Sequence, residues 1–155
     1  MKNIILVIVI GLTVFGGAQA VYGCICSPEV SVSEAFQEAT AVFDGRVTYS
    51  KVVYDKVSED DRTKTVSFQQ IVLVKIVSDR VWKGVTNKEF IVRTVVEGCG
   101  YGFKVGSRYL VYAYGRDLLN TSGCTRTKPF SEAAIEIKQL NKIAGNRRRT
   151  MRGAK

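Results

Sequence analysis

The first 23 residues combine a basic start with a long apolar run, the pattern of a signal peptide. Lys2 precedes Ile4–Phe15, a nearly unbroken apolar run of twelve residues, and Ala18-Gln19-Ala20 supplies small residues at the spacing that signal peptidase recognises. Twelve residues rise only about 18 Å as a helix, whereas the hydrocarbon core of a membrane is about 30 Å thick. We therefore predict a signal peptide at residues 1–23, a secreted protein and no transmembrane segment. Cleavage after Ala20, which would leave Val21 first, is an open alternative.

The pattern of apolar and polar residues beyond the signal peptide predicts a short helix followed by strands. Ser31 and Glu34 have the spacing of a capping box, and Val32, Ala35 and Phe36 share one helical face, so a helix begins near Ser31. β-Branched and aromatic residues then recur in strand-like alternation. The predicted strands are Thr40–Val53, Thr65–Trp82, Glu89–Val95 and Arg108–Tyr114.

Polar and glycine-containing stretches separate these segments. Asp44-Gly45 marks a bend or bulge in the first strand, and the charged stretch Asp55–Lys64, which has no periodicity, is predicted to be a hairpin loop. Aromatic residues of the strands are predicted to lie in the core, namely Phe68, Trp82, Phe90 and Tyr109.

The chain is predicted to end in a helix and a basic tail. Ser131 is placed to cap a helix with Glu132 in its first turn, the apolar spacing extends to about Ala144, and Gly145 closes the helix. Residues 146–155 are interpreted as a basic tail. We therefore assign residues 1–23 to the signal peptide, 24–145 to one domain and 146–155 to the tail.

About five strands, with one helix before them and one after, predict a mainly β domain. A small five-stranded Greek-key barrel of the oligonucleotide/oligosaccharide-binding (OB) type fits this order of elements. A β-sandwich fits the periodicity nearly as well, so the pattern alone leaves the architecture open. The 132 residues from Cys24 to Lys155 suit a single domain with one core.

All four cysteines follow the signal peptide, which predicts two disulfides formed in an oxidising compartment. A Cys24–Cys26 bond would close a strained one-residue loop, so both residues are expected to pair with Cys99 and Cys124, in an order that spacing does not decide. Acylation of the Cys24 sulfur is an alternative, because the residues before it resemble a lipoprotein site, and the protein would then be lipid-anchored.

The composition argues against an enzyme. The chain has no histidine, which removes Ser-His-Asp and Cys-His catalysis and the commonest zinc ligand. A phosphate-binding G-x-x-x-x-G-K-[ST] loop and paired C-x-x-C zinc ligands are also missing. The acidic cluster Glu59-Asp60-Asp61 is interpreted as a solvated loop. We therefore predict a non-enzymatic protein that needs no cofactor.

The charge balance bears on partners. Loss of Lys2 with the signal peptide lowers the formal net charge from +9 to +8. A basic surface favours anionic partners, and for an exported protein we expect anionic polysaccharide rather than nucleic acid.

Several motifs resemble the inhibitory domain of the tissue inhibitors of metalloproteinases. The run Cys24-Ile25-Cys26-Ser27-Pro28, followed by a helix with Ala35-Phe36, is similar to the opening of that domain. The strand Gly106–Val111, with Cys124 downstream, is similar to a later part of it. The run Cys124–Pro129, leading into a helix, also resembles netrin-like modules. The resemblance covers most of the chain after the signal peptide.

The resemblance implies a fold and a disulfide pattern. The family domain is a five-stranded OB barrel, and the implied bonds join Cys24 to Cys99 and Cys26 to Cys124. Separately from the resemblance, we expect a monomer.

The resemblance also implies a mechanism that begins at the first residue of the mature chain. The α-amino nitrogen and carbonyl oxygen of Cys24 would chelate the catalytic zinc of a target metalloproteinase and displace its water. Ile25 would enter the specificity pocket of the protease, and Ser27 and Pro28 would continue the contact.

Two differences from the family motivate an alternative function. Gln37 follows Phe36 where the family has a further cysteine, and the cysteine-rich second domain of the family has no counterpart here. The alternative is a secreted netrin-like binding module for anionic glycans or matrix that inhibits no protease. Cys24 and Ile25 would then be a stapled terminus packed on the barrel. Asn120-Thr121-Ser122 is a glycosylation sequon.

Overall fold

The computed structural model describes residues 24–27, 30–60 and 65–153, including all side chains except those of residues 57–60, 65 and 147–153. The predicted signal peptide, Pro28 and residues 61–64 lie outside the described residues. The described residues form a six-stranded sheet with one helix before it and one after it. The predicted mainly β fold is therefore confirmed.

The helices and the four longer strands follow the order predicted from the sequence, whereas the two short strands at Leu119–Asn120 and Lys128–Pro129 were not predicted. Helix α1 spans Val32–Glu38 and begins at the predicted capping box, in which Ser31 and Glu34 bond to each other's backbone nitrogen. A 3₁₀ turn at Phe130–Glu132 leads into helix α2, Ala134–Gly153. The strands are β1 (Ala41–Asp60), β2 (Thr65–Lys83), β3 (Glu89–Val95), β4 (Arg108–Ala113), β5 (Leu119–Asn120) and β6 (Lys128–Pro129).

The sheet is open, with the strand order β5-β3-β2-β1-β4-β6. Neighbouring strands are antiparallel except β3 and β5, which are parallel. Tyr114, directly after β4, forms an isolated antiparallel bridge with Asn120 of β5. The short strand β5 therefore contacts both β3 and the end of β4.

β1 and β2 form a long hairpin, which corrects the loop predicted from Asp55. β1 continues to Asp60, and Asp55 and Lys56 face Gln69 and Phe68 of β2. β1 pairs with β4 over residues 41–46, so between residues 48 and 60 its described ladder is to β2.

The predicted bend at Asp44-Gly45 is confirmed as a register shift between β1 and β2. A Cβ atom at Gly45 would lie 2.4 Å from the Val77 carbonyl oxygen and 2.9 Å from the Ile76 side chain. Glycine is required here because β1 passes so close to β2.

Two hydrophobic clusters lie on the two faces of the sheet. One covers the face where the rings of Phe43 and Phe90 stack with centroids 4.0 Å apart and where Ile76 and Val111 are fully buried. The other lies under the two helices and joins Phe36 and Ala35 of α1 to Leu140 of α2 through Val42, Leu110 and Tyr112. Of the four aromatic residues predicted as core, Phe90 and Tyr109 are buried and Trp82 is partly buried, whereas Phe68 is 63% exposed.

The start and end of the last helix differ from the prediction. Ser131 lies inside the 3₁₀ turn and does not cap α2, which begins three residues later. Gly145 does not end the helix, because α2 continues to Gly153. Residues 146–153, which were predicted to belong to a basic tail, are therefore part of helix α2.

Candidate functional site

The segment Cys24–Ser27 lies in an irregular conformation on the surface. Ile25 is 95% exposed, which is the highest value among the large apolar side chains that the structure describes as exposed. The alternative in which Ile25 packs on the barrel is therefore wrong. Pro28, the last residue of the predicted contact, lies outside the described residues.

Two disulfides hold this segment from both sides of Ile25. Cys24 is bonded to Cys99 and Cys26 to Cys124, with Cα atoms 5.0 and 5.2 Å apart. This is the pairing that the family resemblance implies. The bonds adjoin each other, since the Sγ atoms of Cys24 and Cys124 are 3.2 Å apart.

The loop that carries Cys99 is fixed by a close backbone contact and by aromatic packing. A Cβ at Gly100 would lie 2.0 Å from the Val95 carbonyl oxygen, so only glycine fits. The next residue, Tyr101, donates its backbone N–H to Thr94 Oγ1 at 2.8 Å and packs edge-on against Tyr109. Burial, assisted by Tyr109 and more weakly by Glu132, raises the pKa of Tyr101 to about 12. The hydroxyl of Tyr101 therefore stays neutral to a higher pH than that of an exposed tyrosine.

The loop that carries Cys124 is fixed by buried threonines. The hydroxyls of Thr121 and Thr127 lie 2.8 Å apart, and Thr127 Oγ1 accepts the Tyr112 backbone N–H at 3.0 Å. The Gly123 N–H donates to the Cys99 carbonyl at 2.7 Å. The two loops that receive the disulfides are thus bonded directly to each other.

Arg126 links Val30, three residues after the segment Cys24–Ser27, to helix α2. Its Nη1 donates to the Val30 carbonyl at 2.7 Å, and its Nε and Nη2 donate to the two carboxylate oxygens of Glu136 at 2.8 and 3.2 Å. Lys128 Nζ lies 2.8 Å from the same carboxylate. Glu136 is only 5% exposed. This one buried carboxylate therefore binds Arg126 and Lys128 directly, and it holds Val30 through Arg126.

The two cations decide the ionisation of Glu136. Burial alone would raise its pKa, but hydrogen bonds from Arg126 and Lys128 outweigh burial and hold the pKa of Glu136 below its usual 4.5. The carboxylate is therefore charged at neutral pH and paired with two cations.

The sulfur atoms at this site do not form a metal centre of their own. Those of Cys24, Cys99 and Cys124 lie within 4.8 Å of one another. All are bonded in disulfides, however, and a metal requires thiolates.

A cleft of about 370 Å³ lies beside the segment. Its walls include Ser27, Val30, Glu38, Tyr114 and Arg126. The exposed segment and this cleft together offer a partner one protruding apolar side chain next to a recess lined by both polar and apolar groups.

The sequence analysis identified the cysteines and Ile25 but missed Arg126 and Glu136. A signal for Glu136 was present: it is spaced three and four residues from Ala133 and Leu140, so a carboxylate stands on the apolar face of α2. Such a residue requires cationic partners when buried. Which cations these are depends on contacts between distant residues, which spacing does not give.

The sequon residue Asn120 is occupied by internal hydrogen bonds. Its Oδ1 accepts from Arg93 Nε at 2.7 Å and its Nδ2 donates to the Leu118 carbonyl at 2.8 Å. Both ends of the side-chain amide therefore have partners within the folded domain.

Comparison with known proteins gives no family assignment: no family model and no curated protein matches the chain. Among the described residues, no helix has the length and apolar character needed to span a membrane.

Proposed function

We propose that this chain is a secreted inhibitor of zinc metalloproteinases, similar to the inhibitory domain of the tissue inhibitors of metalloproteinases. The observation that carries the proposal is the position of Ile25, 95% exposed between two disulfide-bonded cysteines. Fully exposing a large apolar side chain on a constrained segment costs solvation free energy, and a partner pocket that buries it recovers that energy.

The chelating group in this proposal is the mature N-terminus. After removal of residues 1–23, Cys24 has a free α-amino nitrogen and an adjacent carbonyl oxygen. A neutral amine and a carbonyl are both zinc ligands, and a catalytic zinc keeps an open position for them. An α-amino pKa of about 7.7 to 8.0 lets the metal displace the proton at modest cost.

The disulfides favour the complex by limiting the freedom that docking removes. Residues 24 and 26 are each covalently fixed to a loop, and Arg126 holds the Val30 carbonyl. A segment that is already ordered loses less entropy when it binds. Ile25 would then enter the specificity pocket, with Ser27 and Pro28 along the cleft of the protease.

We also propose that the sheet corresponds to a five-stranded OB barrel with β6 added at its edge. Its support is the parallel pairing of β3 with β5, together with backbone hydrogen bonds of 2.9 and 2.6 Å between Tyr114 and Asn120. These contacts bring β5, at one edge of the open sheet, against the end of β4. Under this proposal the chain acts as a monomer, performs no catalysis and needs no cofactor.

The decisive experiment compares two forms of the protein that differ by one alanine before Cys24. The form that begins at Cys24 should inhibit at least one member of a panel of zinc metalloproteinases. The extended form should have an inhibition constant at least about a hundredfold higher, or about 2.7 kcal/mol, because its Cys24 nitrogen is an amide. Equal melting temperatures and an increase in mass of about 4 Da on reduction of each form would show that both are folded with two disulfides.

Two outcomes would contradict the proposal. Equal inhibition by the two forms would exclude chelation by the α-amino group. No inhibition of any protease in the panel by the form that begins at Cys24 would exclude the function itself.

A further inference from the structure

The positive charge of the chain is concentrated at one end. Residues 137–155 contain seven basic and no acidic residues, whereas residues 1–136 contain sixteen basic and fourteen acidic residues. Seven of the nine net positive charges therefore belong to the last 19 residues. A charge so unevenly placed does more than keep the protein soluble, because it produces a local field that attracts polyanions.

Most of this charge lies on helix α2, which continues to Gly153. At 100° per residue, positions 138, 142, 149 and 152 fall within an arc of about 80°. These positions are Lys138, Lys142, Arg149 and Arg152, and we call them the cation stripe. The rise of 1.5 Å per residue makes the stripe about 21 Å long.

Helical spacing places the four positions of the cation stripe on the side of α2 opposite the residues that pack on the fold. Glu136 and Leu140 are buried and Ile143 is partly buried, and these positions centre about 160° to 180° from the stripe. Lys138 and Lys142 are exposed. The stripe therefore faces solvent along the part of α2 that packs on the sheet.

No acid on the helix neutralises the cation stripe. The one acidic residue of α2 is Glu136, which is buried on the opposite side and bonded to Arg126 and Lys128. Arg80 of β2 adds a further exposed cation beside the helix: its guanidinium lies 5.5 Å from the Trp82 ring centroid and 3.5 Å from Asn141 Oδ1. Trp82 Nε1 also donates to Asn141 at 2.8 Å, which fixes the pair against α2.

We propose that the cation stripe and Arg80 form a binding site for a linear sulfated polysaccharide. A row of cations about 21 Å long matches an extended polyanion better than a single small anion. Insertion into a membrane surface would need several apolar residues on the same face, whereas the one large apolar side chain of α2 described as exposed is Ile135, which is 76% exposed beside Lys142. The two disulfides are typical of exported proteins, which favours an extracellular polyanion over nucleic acid as the partner.

The test uses heparin as the probe and two triple variants with equal loss of charge. One variant is Lys138→Gln, Lys142→Gln and Arg149→Gln, in the cation stripe. The control is Lys51→Gln, Lys88→Gln and Arg116→Gln, three exposed residues outside α2. Heparin affinity is measured by calorimetry between 50 and 300 mM salt (roughly the range over which counterion release changes affinity strongly).

We expect the stripe variant to bind heparin about a hundredfold more weakly and to lower the salt slope by about 2 to 3. The control should change the affinity less than about threefold, and desulfated heparin should bind the unmodified protein weakly. An equal loss in both variants would overturn the proposal, because it would mean that only net charge matters. Tighter binding to a DNA duplex or to phosphatidylserine vesicles than to heparin would also overturn it.

This inference does not rest on protease inhibition. The alanine-extended protein retains the whole cation stripe, so it should bind heparin with unchanged affinity. Loss of inhibition and loss of heparin binding can therefore be observed separately.

Discussion

Glu136 shows how one buried side chain controls the geometry of a site several residues away. Its carboxylate is 5% exposed and binds Arg126 and Lys128, and Arg126 binds the Val30 carbonyl. Removing one partner of a buried ionic cluster leaves the others charged and without compensation. The position of Val30, three residues after the segment Cys24–Ser27, is thus held through Arg126 by a residue of α2.

We expect Glu136→Gln to reduce the free energy of unfolding by about 3 to 5 kcal/mol at pH 7, because the partly buried cations Arg126 and Lys128 lose their counter-charge. Equilibrium denaturation in urea measures the loss. Glu132→Gln, a change at an exposed position of the preceding turn, should stay within about 0.5 kcal/mol of the unmodified protein. Comparable effects of the two substitutions would show that the cluster contributes little.

The same residue predicts a dependence of stability on pH. Since the pKa of Glu136 is lowered in the folded protein, its contribution is complete above the usual 4.5 and is lost as the pH falls through the lowered value. In that window the unfolded chain binds more protons than the folded one. Denaturation between pH 6 and about pH 3 should therefore show a steeper loss for the unmodified protein than for Glu136→Gln.

At the scale of elements, local signals located the helix start and most strands. The capping box at Ser31 and Glu34 fixed α1, and the bounds of β3 agree with the prediction. These elements are encoded by residues close in sequence. The prediction of a loop from Asp55 was wrong because the backbone of residues 55–60 is paired with β2. These residues show no alternation of apolar and polar side chains, so the pattern did not indicate a strand.

The predicted start and the predicted end of the last helix were both wrong, each for a local reason. Pro129 precedes the turn at Phe130–Glu132, and the helix proper starts only after this turn. Glycine at position 145 costs the helix about 1 kcal/mol. The neighbouring residues, including the arginines that follow, have high helix propensity, and together they outweigh this cost. A glycine alone therefore did not mark the end.

The pairing of the cysteines could be predicted only from the resemblance to a known family. The ion pair between Arg126 and Glu136 could not be predicted from the sequence. The spacing left two orders of pairing between Cys24 or Cys26 and the later cysteines. Which order forms depends on how the loops at Cys99 and Cys124 meet, through the Gly123–Cys99 hydrogen bond among others. Such contacts join residues far apart in sequence, so sequence periodicity cannot reveal them.

Because Phe68 is exposed on the β1–β2 hairpin, we expect its substitution to have little effect on stability. Phe68 is 63% exposed on β2, whereas Phe90 is buried against Phe43. We expect Phe68→Ala to change the free energy of unfolding by less than about 1 kcal/mol and Phe90→Ala to reduce it by about 3 to 5 kcal/mol. Urea denaturation of the two variants measures the difference. Equal losses would mean that the hairpin packs on the domain in solution.

At the scale of the whole molecule, the two disulfides are not independent constraints. They span 75 and 98 residues, and on the loop-entropy model each alone would stabilise the fold by about 4.5 to 4.7 kcal/mol. Once one bond exists, however, the other closes only residues 24–26 and 99–124. That loop of about 27 residues is worth about 3.5 kcal/mol.

The first disulfide removed should therefore cost less than the second. We expect Cys24→Ser with Cys99→Ser, or Cys26→Ser with Cys124→Ser, to lower the free energy of unfolding by about 3.5 kcal/mol, and the second pair to remove about 4.5 kcal/mol more. Denaturation of the four proteins in a stabilising osmolyte, which keeps the weakest variant folded, measures both steps. A second step no larger than the first would mean that the disulfides act through the native segment, by contacts or strain, rather than by restricting the unfolded chain.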